Sequence, residues 1–130
     1  MNKKNNINRE LTRLEIDMAN KLIDLLNTKP YVTYKELAGY FNLGADHIAH
    51  QLGNIDMVCF RLGIPLISAN VVNIGTDQPN SEGFIRVLEE CKIPLNQYDN
   101  VIKKARENKD WSKLVEELRK IYNMCYNKNM

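Results

Sequence analysis

The stretch TYKELAGYFNLGADHIAHQLGNIDMVCFRLGIP, residues 33–65, constrains the fold more than any other part of the chain. Thr33 and Glu36 have the spacing of a capping box, which opens a helix by satisfying its first free amides. Leu37, Ala38 and Phe41 then fall on its inner face. The turn NLGAD follows, and Asp46 is placed to cap a second helix running to about Leu62. Ile48, Leu52, Ile55 and Cys59 recur at three- and four-residue steps, a buried helical stripe. Gly63 stands where a left-handed C-cap belongs, with Pro65 just beyond to prevent continuation. Two amphipathic helices this close must pack on each other, so the segment predicts a helix-turn-helix.

The rest of the chain supplies cover for that pair. Leu11, Leu14, Met18, Leu22 and Leu25 share one face of a helix over about Arg9 to Asn27. Tyr31 and Val32 suit a short strand. PLISANVV, residues 65–72, reads as a second, buried strand. NIGTDQPNSEG is rich in turn formers and suits the wing of a winged helix. Ser81 is placed to cap a helix through Cys91, with Ile85 and Leu88 inward. A further helix covers about Tyr98 to Asn108 with Val101, Ile102 and Ala105 inward. Asp110 caps the last helix, whose stripe is Trp111, Leu114, Val115, Leu118, Ile121, Tyr122 and Cys125. Residues 1–8 and 127–130, rich in Asn and Lys, are expected to fray. The expected fold is mainly α: a helix-turn-helix or winged-helix-like core with a short strand element and additional C-terminal helices. The 130 residues suit a single domain, with the core in 9–91 and a helical extension in 92–130.

Residues 33–73 resemble the DNA-binding domain of alkylguanine-DNA alkyltransferases and their alkyltransferase-like relatives. The resemblance rests on TYKELA (Thr33–Ala38), ADHIAHQLG (Ala45–Gly53) and ISANVVN (Ile67–Asn73). The segment is also similar to uncharacterised bacterial and phage domains in which a strand ending V-V-N precedes a G-F pair, here Val71–Asn73 and Gly83–Phe84. The resemblance implies a winged-helix scaffold on DNA. The alkyl-transfer groups do not carry over. The family's reactive cysteine falls on Ala69, its activating histidine on Asn70, and the arginine after it on Val71. The intercalating arginine falls on Asp46, whose charge repels phosphate.

Charge distribution qualifies a DNA-binding reading. The net charge of +2 hides an acidic middle: residues 46–91 hold two basic and six acidic side chains, net −4. Affinity for nucleic acid follows phosphate neutralisation. It would therefore have to come from the flanks, through Lys3, Lys4, Arg9, Arg13, Lys103, Lys104, Arg106 and Lys109. Base contacts would come from the second helix of the pair, through His47, His50, Gln51, Asn54 and Arg61. The plainer reading of the same residues is a solvated polar helix face.

Other chemistries find little support. His47 and His50 are three apart, but two ligands do not close a metal site and no Cys or acidic motif completes one. Helical phase separates Cys59 from His50, so no base reaches that thiol. The glycines of GTDQPNSEG lack phosphate-loop spacing. Trp111, Tyr122 and Tyr126 have the spacing of core and rim residues rather than of a base-stacking platform. The acidic side chains show no paired arrangement in apolar surroundings, so acid–base catalysis has no candidate. No cofactor is implied. Three widely spaced cysteines, a polar N-terminus and no long apolar run suggest a cytoplasmic protein with no membrane segment. Two functions stand: a non-enzymatic nucleic-acid-binding regulator or accessory protein, or a phage or mobile-element module that binds and inhibits a host or defence protein. The candidate partners are DNA, a protein, or a second copy of the chain as a homodimer.

Overall fold

The computed structural model describes residues 10–126. The expected frayed ends, and Arg9 as the start of the first helix, lie outside these residues. Helix α1 spans Arg13–Leu26. Thr12 caps it: its hydroxyl accepts from the Glu15 amide at 3.1 Å, and the Thr12 amide donates to the Glu15 carboxylate at 2.9 Å. Strand β1 is Val32–Thr33 and α2 is Tyr34–Gly39. Thr33 caps α2 through the Glu36 amide at 3.0 Å, as its spacing predicts. The Glu36 carboxylate turns instead to Lys29.

Asn42 adopts a left-handed backbone with φ of 59° in the turn after α2. Asparagine tolerates that region better than most residues. The following Leu43 amide closes back on the Ala38 carbonyl at 3.1 Å. Residues Ala45–His47 then form a 3-10 turn, and α3 runs from Ala49 to Leu62. Asp46 therefore lies in the 3-10 turn and caps nothing; the residue before α3 is Ile48, with no side-chain cap bond. Gly63 ends α3 at φ 73°, and the Ile64 amide closes on the Cys59 carbonyl at 3.1 Å.

The expected strand over residues 65–72 is mostly something else. Ile67–Asn70 is a 3-10 turn, and only Val71–Val72 forms strand β2. The reason is Asp56 on α3, whose carboxylate accepts both the Ser68 amide, at 3.0 Å, and the Ser68 hydroxyl. These bonds coil the chain just before it reaches β1. Strands β1 and β2 pair in parallel, Val32 opposite Val71 and Thr33 opposite Val72. The stretch expected as a wing forms turns around Gly75, with Thr76 bonded to the Asn73 and Gln78 carbonyls, and pairs with no strand among the described residues. Helix α4, Ser81–Glu90, is capped by Asn80 rather than Ser81: the Asn80 side-chain Oδ1 accepts from the Gly83 amide at 3.0 Å. Helix α5 covers Tyr98–Glu107 and α6 Ser112–Tyr126. Asp110 accepts from the Ser112 amide at 3.0 Å, as expected of the residue that opens α6.

Among the described residues the architecture is mainly helical with one small parallel strand pair. Helix α3 lies at its centre, packed on α1, α4, α6 and the 67–70 turn. Leu37, Ile48, Leu52, Ile55 and Cys59 are buried together, while Phe41 packs against them half-exposed. Phe84, Val87 and Leu88 are the buried residues of α4, with Ile85 half-exposed. Helix α6 buries Leu114, Leu118 and Ile121 against α1 and α3, next to buried Trp111. Among the described residues, no helix is long and apolar enough to cross a membrane.

Candidate interaction site

The five residues expected to contact nucleic acid do not form one surface. His47 sits in the 3-10 turn, off the helix, highly exposed and 4.0 Å from the Asp46 carboxylate. His50 is exposed in the first turn of α3 and Arg61 in its last. Eleven residues separate them, roughly 16 Å along the axis at 1.5 Å per residue. Asn54 lies between them on the same stripe, but its amide donates to the Glu15 carboxylate at 2.7 Å. It ties α3 to the N-terminal cap of α1. Gln51 is half-buried, with its Oε1 enclosed and without a hydrogen-bond partner among the described residues. The polar stripe of α3 is thus interrupted in the middle by α1.

The basic flanks are also partly committed. The Arg106 guanidinium donates to the Ala69 carbonyl at 2.9 Å and the Asp77 carbonyl at 2.7 Å, and lies over the Tyr31 ring at 5.0 Å. Arg13 lies over the Tyr122 ring. Lys103 pairs with Glu107, one helical turn on. Lys104 and Lys109 are exposed, and Lys3, Lys4 and Arg9 lie outside the described residues.

A groove of about 420 Å³ opens where the N-terminal ends of α3 and α4 meet, lined by Tyr34, Asp46, Ala49, Asn80, Glu82 and Arg86 among others. The Asn80 amide donates to the Tyr34 hydroxyl oxygen at 2.8 Å, which closes its base. Asp46, Glu82 and Arg86 are all exposed, so the groove carries two acids and one base.

The positions that would carry alkyl transfer are closed off. Ala69 and Asn70 are buried, and α5 packs over their turn. Burial drives the Cys59 thiol far above its ordinary range, so it stays protonated. The Cys91 thiol is likewise held up at about 11, first by burial and then by the Asp56 charge. Among the described residues, no group of three or more His, Cys, Asp and Glu side chains is placed to hold a metal ion.

One buried polar centre escaped the sequence reading. Asp56 is fully buried, and desolvation raises its carboxyl to about 7 against the two opposing bonds from Ser68. Its phase was the available signal: Asp56 lies four residues after Leu52 and three before Cys59, on the apolar stripe. An acid at such a position must find donors inside the protein. Comparison with protein-family models, characterised proteins and solved structures finds no match to the chain.

Proposed function

We propose that this chain is a non-enzymatic binding module on a helix-turn-helix scaffold, and that it docks a basic segment of a protein partner. The observation that carries this reading is the groove between the N-terminal ends of α3 and α4, where exposed Asp46 and Glu82 flank Tyr34 and Ala49. A Lys- or Arg-bearing segment meets two acids, Asp46 and Glu82, against the single base Arg86, with the Tyr34 ring and Ala49 beside them as apolar contact. The acidic residues also stand where a duplex would meet repulsion. The bond from Asn54 to Glu15 argues the same way, because it withdraws one base-reading amide from solvent. Such a module suits a small inhibitor or accessory protein. The test is affinity capture from host extract, with and without nuclease. A protein that remains bound after nuclease treatment, and is lost when Asp46 and Glu82 are both replaced by lysine, supports this reading. Capture that disappears with nuclease rejects it.

A second reading is nucleic-acid binding, favoured by exposed His50 and Arg61 on one stripe of α3 together with exposed Lys104 and Lys109. It supports backbone contacts more than sequence reading, since Asn54 is engaged. Fluorescence anisotropy with a labelled duplex at two salt concentrations tests it. Under this reading Asp46→Arg strengthens binding, and the affinity falls steeply with salt.

A further inference from the structure

A narrow cleft of about 30 Å³ adjoins the groove at the N-terminal ends of α3 and α4 and runs between the two helices. Tyr34, Ala49, Asn80 and Gly83 line both. Ala49 and Gly53 stand one turn apart on α3, and Gly83 and Val87 one turn apart on α4, so each helix offers a step from the groove into the cleft. Ala49 is exposed and both glycines are half-exposed, which leaves the way in open. Deeper in, the wall is formed by the buried side chains of Leu52, Phe84 and Val87.

Nothing in the backbone requires the two glycines. Neither has a left-handed φ. A Cβ on Gly53 would stand 3.7 Å from Cγ2 of Val87, and one on Gly83 would stand 3.7 Å from Oδ1 of Asn80, both ordinary van der Waals distances. Alanine would therefore fit, and inside a helix it is the more stable residue. The glycines hold open a space that the fold itself does not need. That space matches the roughly 30 Å³ that one water occupies in the liquid, which is also room for one methyl group. A buried water needs several polar partners, and the polar groups along this wall are already engaged. The Ser68 hydroxyl donates to Asp56, the Asn80 side chain accepts from the Gly83 amide, and the Asn80 amide donates to Tyr34. An apolar wall with its polar groups spent favours the methyl.

We infer that the cleft is a specificity pocket for an alanine-sized side chain, set beside the Lys or Arg that the acidic rim receives. The inference rests on the docking of a basic segment proposed for the groove, and it narrows that partner to one carrying a small apolar residue next to its cation. Asp46 and Glu82 against Arg86 select the charge, while Gly53 and Gly83 select the size. A larger side chain such as leucine meets Phe84 and Val87, which are fixed in the core.

The experiment titrates the isotopically labelled full chain with pentapeptides of four arginines around a central glycine, alanine or leucine, and follows backbone amide shifts by NMR. The amides of Gly53 and Gly83 report on the cleft, and those of Asp46 and Glu82 on the rim. The alanine peptide should move both pairs and bind roughly fourfold tighter than the glycine peptide, the gain from burying one methyl. The leucine peptide should lose that gain. Gly53→Ala, and separately Gly83→Ala, should fill the pocket from inside and bring the alanine peptide down to the affinity of the glycine peptide. The thermal midpoint of Gly53→Ala should rise at the same time, a pair of results that a merely structural glycine would not give. Rim shifts with all three peptides bound equally overturn the pocket and leave the docking reading standing. An alanine preference that survives in the folded variants also overturns it. So does the absence of any shift at about 10 mM peptide, too weak to matter by affinity arithmetic; capture from host extract, with Asp46 and Glu82 replaced, then decides the docking reading separately.

Discussion

Asp56 and Ser68 join the middle of α3 to the turn that feeds β2: one carboxylate receives both the amide and the hydroxyl of the same serine. The contact is fully buried, and it makes the protein's stability depend on pH. The folded Asp56 carboxyl titrates near 7, above its ordinary value of 3.8. A carboxyl raised on folding favours the folded state while both forms are protonated, below about pH 4. That contribution is lost as pH rises through the interval to about 7. The full loss is on the order of 4 kcal/mol by the conversion of 1.36 kcal/mol per unit. Urea midpoints across this range should fall with rising pH. Asp56→Asn, which can accept from the Ser68 amide and donate to its hydroxyl, should flatten that slope and raise stability at pH 8.

Leu52 is 2% exposed in the centre of α3. Leu52→Ala should destabilise by about 2–5 kcal/mol, from lost burial and the cavity left behind. Chemical denaturation measures it, and a cost under about 1 kcal/mol, the scale of a surface change, would contradict the packing described above.

Removing α6 should prevent folding. Leu114, Leu118 and Ile121 are buried against α1 and α3, and fully burying one such side chain contributes roughly 1.5–3 kcal/mol. A chain ending at Lys109 should lack cooperative thermal unfolding by circular dichroism. A stable monomeric fragment would show that the helix is dispensable.

The bond between Asn54 and Glu15 should appear as a coupling energy. In a double-mutant cycle of Asn54→Ala and Glu15→Ala, the interaction should be about 1 kcal/mol or more, as for residues in direct contact. If Asn54 were free to contact a ligand instead, the two changes would add within error.

The helices were legible because their information is local. Leu37, Leu52, Ile55 and Cys59 announce one buried phase, and Gly63 with Pro65 marks the end of α3 without reference to anything distant. Partnership between polar residues was not legible. His50, Asn54 and Arg61 look equivalent on one helical stripe, and only the folded chain brings Glu15, 39 positions away, against Asn54 alone. Residues 65–72 failed as a strand for a related reason. Their apolar, β-branched character suits extended backbone, but the Asp56 bonds to Ser68 outweigh that preference. The expected wing rested on turn formers, which mark a change of direction and say nothing about pairing across it.

The pairing of Val32 with Val71 has a kinetic consequence. These partners are 39 residues apart, and α2 and α3 fill the interval. Two residues per strand cannot hold such a loop closed on their own. The pair can therefore form only once the helices between its strands have docked, which places it late in folding. Its amides should exchange with solvent only when the whole domain opens. Their exchange rates then read the global free energy of unfolding directly, from a ribbon too short to contribute much of it.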